Sequence, residues 1–198
     1  MKKIVIGIFL IFIVIFSASI YGIGPNDAIS HYDDGEFSFD YPSNMTVNHN
    51  PMILYLNNLG SFPDKSTSNL PFKDKYTVQM FFISNYYPRI TFTVYKTSSE
   101  PNIGLNDVIS YEKSTGSGYI TYQGNVKLNG ISAYEIDSRI VPSGRSSYNE
   151  HTIKKVLFEK KGMIYILYFD LDDPIITHED ETLFNDYTNK ILQNFSCI

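Results

Sequence analysis

Apolar residues along this chain recur with two periods, one of two residues and one of about three and a half, and turn-forming residues separate the runs. Phe37, Phe39 and Tyr41 alternate with Glu36, Ser38 and Asp40, the pattern of a half-buried strand, which Pro42 stops. Residues 78–83 and 90–95 predict a second pair of strands, with Ile90, Phe92 and Val94 facing inward between Thr91 and Thr93. The connection 84–89 reads as a hairpin tip. Leu105, Val108, Ile109 and Glu112 have helical spacing and predict a helix of two to three turns. Residues 119–128 and 131–140 predict strands joined at Asn129-Gly130, a dipeptide suited to a type I′ turn because both positions need φ > 0. Residues 152–159 and 163–169 predict another hairpin, and the second of these is apolar on both faces, as a central covered strand should be. The last element is a helix: Thr177 can cap it, Glu179, Asp180 and Glu181 suit its positive end, and Phe184, Tyr187, Ile191 and Phe195 share one face.

Helices and strands are segregated rather than alternating, so the expected class is α+β around an antiparallel sheet. The loop at 57–75 is rich in Asn, Ser, Pro and Lys.

The first 23 residues follow a different logic. Lys2 and Lys3 precede an uncharged run over residues 4–23, led by thirteen almost uninterrupted apolar residues. Two fates are open. The run is a signal peptide cut near Ser17-Ala18-Ser19, or an anchor of about the 20 residues that a spanning helix needs. Either fate puts the rest of the chain outside the cytoplasm. Residues 24–34 then read as a polar stalk and 35–198 as one domain.

Removing Lys2 and Lys3 from the 16 basic residues leaves 14 against 21 acidic ones, a formal charge of −7. Nucleic acid is a poor partner for such a surface, because phosphate binding wants a basic face. Cys197 is the only cysteine, so no intramolecular disulfide forms and a large apolar core must carry the stability. The composition agrees, at 43% hydrophobic with 16 Tyr and 14 Phe.

Candidate chemistry is sparse. Asp170, Asp172 and Asp173 supply oxygens that a hard cation such as Ca²⁺ could use. Pro174 follows where an EF-hand loop needs its later ligands, and a solvated loop beside a helix start explains the same acids. His31, His49, His151 and His178 share no ligand spacing. Ser143-Gly144-Arg145-Ser146 lacks the Gly-x-Ser-x-Gly elbow of a nucleophile, and Gly116-Ser117-Gly118 lacks the Lys-Ser/Thr of a phosphate loop. No catalytic residue and no cofactor are assigned. Tyr86, Tyr87 and Arg89 sit at the hairpin tip and suit a contact surface, where Tyr and Arg are enriched.

Several segments together resemble the PsbP-like family. They are Phe37-Ser38-Phe39-Asp40-Tyr41-Pro42-Ser43, Asn129-Gly130-Ile131-Ser132-Ala133-Tyr134-Glu135, Lys161-Gly162-Met163-Ile164-Tyr165-Ile166-Leu167, and the closing helix through Phe184, Ile191, Asn194 and Phe195. The family's Trp shortly after the Tyr-Pro step is absent, with Met45 nearby. The resemblance implies an α/β/α sandwich around an antiparallel sheet, preceded here by an N-terminal apolar helix. It also implies a protein that acts by binding partners. The resulting expectation is a non-catalytic, extracytoplasmic binding or accessory protein with an unknown protein partner at the cell surface. The alternatives are an extracytoplasmic enzyme with an unrecognised site, or a carrier of a small hydrophobic ligand or Ca²⁺.

Overall fold

The structure, a computed structural model, describes residues 29–43, 77–82, 88–98, 104–115, 118–142 and 149–197. The apolar run at 4–23, the loop at 57–75, Tyr86, Tyr87, His49, and the serines at 143 and 146 lie outside the described residues. Among the described residues, nine strands and two helices follow in the order β1 Ile29–Asp33, β2 Phe37–Pro42, β3 Thr77–Phe82, β4 Arg89–Ser98, α1 Leu105–Thr115, β5 Tyr119–Leu128, β6 Ile131–Ile140, β7 Glu150–Lys160, β8 Met163–Asp173, α2 His178–Asn194 and β9 Ser196–Cys197.

The strands form two antiparallel sheets. The larger has the order β3-β4-β8-β7-β6-β5, the smaller β1-β2-β9. Strand alternation divides the larger sheet's side chains between two apolar layers. On one side Phe92, Val94, Val156, Phe158, Leu167, Phe169 and Leu171 meet α2 and the small sheet. On the other, Tyr95, Ile136, Leu157, Ile164 and Ile166 meet Val108 and Ile109 of α1. β8 is buried from both sides, as its continuous apolar run predicts.

Local chemistry sets the turns. Asn129 and Gly130 take φ of 47° and 85°, and Lys161 and Gly162 take 52° and 73°, so both hairpins close in two residues. Thr177 caps α2 in a capping box: its hydroxyl accepts from Asp180 N, and the Asp180 carboxylate accepts from Thr177 N at 2.8 Å.

Two expectations are corrected. The strand at Phe37–Pro42 exists but belongs to the small sheet, paired with β1 and β9, so the antiparallel framework is two sheets rather than one. Its alternation buries Phe37 and Phe39 against the larger sheet, and Phe39 meets Phe92 edge-on at 5.2 Å. Residues 29–33, expected within the polar stalk, form β1. Only Ser30 and Tyr32 are half-buried there, which is too weak an apolar signal to read from sequence. What holds β1 is its backbone ladder to β2 and the Tyr32 ring stacked 5.1 Å from Phe39.

Candidate functional site

The larger sheet is longer than the helix that covers one of its faces. Along β8 the row Ile164, Ile166 and Tyr168 packs toward α1 and continues as Asp170 and Asp172. The register sets Arg89 of β4 and His151 of β7 on either side of Asp172. Four polar residues from three strands thus share one end of one face.

They hold one another. Arg89 donates to Asp172 Oδ2 from Nε at 3.2 Å and Nη2 at 2.5 Å, while Asn149 Nδ2 donates to Oδ1 at 2.6 Å. The Asp172 side chain is 11% exposed and that of Arg89 45%, so the carboxylate is an inner brace while much of the Arg89 side chain stays exposed. His151 Nδ1 lies 3.0 Å and 3.3 Å from the two Asp170 oxygens. The hydrogen bond to Asp170 raises the His151 pKa above the ordinary histidine value; burial opposes it, and the charges of Asp170 and Asp172 add to it.

This shift fixes a pH signature. A raised histidine pKa contributes stability that is fully present below the unfolded value of about 6.5. The contribution is lost as pH rises through the folded value. The stability difference between wild type and His151→Gln should therefore be largest near pH 6 and decline toward pH 8 in urea titrations. A difference that grows with pH would contradict the His151–Asp170 contact.

Among the sequence candidates, Arg89, Asp170 and Asp172 are brought together, but as ion-paired or hydrogen-bonded side chains. Asp173 lies opposite Glu150 in the ladder, and its Oδ1 accepts from Ile175 N at 3.0 Å in a tight turn. The three carboxylates do not converge, and the described residues contain no group of three His, Cys, Asp or Glu placed to hold a metal ion. His31 pairs with Asp40 at 2.7 Å, and His178 opens α2. Sequence reasoning did not find Asn149, nor His151 as a partner of Asp170. The only signal for them is cross-strand register.

The opposite face carries a separate charged group. Lys154 bridges Glu135 at 2.7 Å and Asp137 at 3.2 Å, and Arg139 bridges Glu150 at 3.2 Å and Glu181 of α2 at 2.9 Å. Burial raises the Asp137 pKa against the pull of Lys154. These contacts tie α2 to β6 and β7. Cys197 is buried, and that burial pushes its thiol up to about 11, which keeps it in the thiol form near neutral pH.

Among the described residues no helix is long and apolar enough to cross a membrane. No protein-family model matches the chain, and no curated protein matches it. Similar solved structures include PA94 of Pseudomonas aeruginosa, a protein of unknown function, at 12% identity over 84% of this chain and 94% of that one, with a TM-score of 0.46. LpqN of Mycobacterium tuberculosis, involved in cell envelope biogenesis, is 14% identical over 86% and 91%, with a TM-score of 0.47. The Ran-binding protein Mog1p of Saccharomyces cerevisiae is 9% identical over 86% and 95%, with a TM-score of 0.47. Identities this low carry no residue's role across.

Proposed function

We propose that this chain is a non-catalytic, extracytoplasmic binding or accessory protein that engages a protein partner with the Arg89 end of its larger sheet. One observation carries the reading: the Arg89 guanidinium is oriented by Asp172, which Asn149 also holds, yet the Arg89 side chain remains 45% exposed. An arginine held in place before contact loses less side-chain freedom on binding, and such residues are common anchors of interfaces. The sequence adds the address, since Lys2, Lys3 and the uncharged run over 4–23 have the form of an export signal or anchor. The formal charge of −5 disfavours nucleic acid as the partner.

A membrane-impermeant crosslinker added to intact cells of the source organism tests partner and address together. Wild type is expected to be captured with one or more defined neighbours. Arg89→Ala should reduce that capture about tenfold, the scale of an anchor arginine. Capture unchanged by Arg89→Ala would remove Arg89 from the interface, and no labelling of the domain from outside would overturn the address.

A further inference from the structure

The larger sheet ends in β5, which among the described residues is paired along one side only, to β6. The other side is a row of backbone N–H and C=O groups that another extended strand satisfies in full. Devices that blunt such an edge are few. The strand has no proline and no acid, and Lys127 is its only charge. A register shift between Ile120 and Tyr122 interrupts the regular ladder near the start of the strand. Seven residues from 122 to 128 follow without a bulge.

We propose that residues 122–128 pair antiparallel with the same residues of a second copy of this chain, about a two-fold axis at Asn125, joining the two larger sheets into one.

The order of residues argues for a second copy rather than a foreign strand. A two-fold antiparallel pair sets each residue against its mirror position, so the strand must be palindromic in polarity. This one is. Tyr122 meets Leu128, Gln123 meets Lys127, Gly124 meets Val126, and Asn125 meets itself. The single charge faces an amide instead of its own copy, and an amide can hydrogen-bond an amide at the axis. The faces also agree. Tyr122, Gly124 and Val126 lie on the side of Asp137, Glu135 and Ala133, whereas Gln123, Asn125 and Lys127 lie on the side of Ile136, Tyr134 and Ser132. Moving the pairing by one residue would set apolar against polar positions along the run.

Gly124 has a specific part in this. A Cβ there would come within 2.9 Å of the Tyr122 hydroxyl, so the tyrosine lies over its own strand where no side chain stands. Tyr122 is 47% exposed, and the partner's strand would cover it. Electrostatics allow the approach: the chain is acidic at −5, and two copies would meet along a strand free of carboxylates.

Disulfide crosslinking in the full chain tests this. Opposed Cα atoms in an antiparallel pair are about 4.5–5.5 Å apart, within the range of a disulfide. The native Cys197 is buried and does not compete. Asn125→Cys is expected to crosslink into dimers under mild oxidation at least about tenfold faster than Glu159→Cys, a thiol exposed on the interior strand β7. Adding Gln123→Lys to Asn125→Cys places like charges opposite each other twice and should slow crosslinking about threefold or more, and further adding Lys127→Glu should restore it. Equal rates for Asn125→Cys and Glu159→Cys would overturn the proposal. So would fast crosslinking indifferent to Gln123→Lys, which would mean that the copies meet in another register.

Discussion

Phe195→Ala is expected to lower the unfolding free energy by about 3–5 kcal/mol, the cost of deleting a fully buried phenylalanine. Phe195 is the C-cap of α2 and is 0% exposed. Its ring lies 5.7 Å from Phe37, 6.4 Å from Phe39 and, edge-on, 5.9 Å from Phe158. It therefore touches both sheets at the point where the terminal helix ends. Rings on three sides belong to strands held by their own ladders, so the gap closes poorly and the high end of the range applies. The Phe195 carbonyl also accepts from Asn129 Nδ2 at 2.7 Å, which pins the β5–β6 turn to the end of α2. For a domain of this size the thermal midpoint should fall by about 6–20 °C. Chemical denaturation of the variant measures it directly, and an unchanged midpoint would show that this ring does not join the helix to the sheets.

The second large effect is expected at a buried ion pair. Lys155 Nζ donates to Glu112 Oε2 at 2.7 Å, with the two side chains 11% and 6% exposed, and Lys155 lies 5.6 Å from the Tyr168 ring centre. This is a buried charged contact between α1 and the larger sheet, set beside an apolar layer. Removing one partner strands the other charge, so Glu112→Ala should cost about 3–5 kcal/mol. Replacing both, as Glu112→Leu with Lys155→Met, should fall within about 1 kcal/mol of wild type or stabilise, because the desolvation of both charges disappears together. A double-mutant cycle by urea unfolding separates these outcomes. A single variant within 0.5 kcal/mol of wild type, or a double variant as unstable as the single, would show that the pair is not buried as described.

Residues close in sequence were legible wherever backbone chemistry is local. Asn129-Gly130 predicted its turn because few residues accept φ > 0 twice, and the strands on either side begin and end where the pattern put them. Thr177 and the acids after it predicted the start of α2, and the doubly apolar run from Met163 predicted the inner strand β8. Boundaries moved where pairing extended past the apolar pattern. β7 and β8 run on to Glu150 and Asp173, because ladder bonds need only backbone and the polar ends still pair.

The sequence by itself determined most of the strands, both described helices, the positions of the tight turns and the α+β class, since these follow from period, turn chemistry and capping within a few residues; the short strands β1 and β9 escaped it. The tertiary structure alone decided which strands share a sheet, placing Phe37–Pro42 with β1 and β9, and it decided every contact that makes up the site. Arg89 and Asp172 are 83 positions apart, and Lys155 and Glu112 are 43 apart. No period or motif links such pairs. Their meeting depends on register and on which face each residue takes, and one residue of slip would send every one of those side chains to the other side of the sheet.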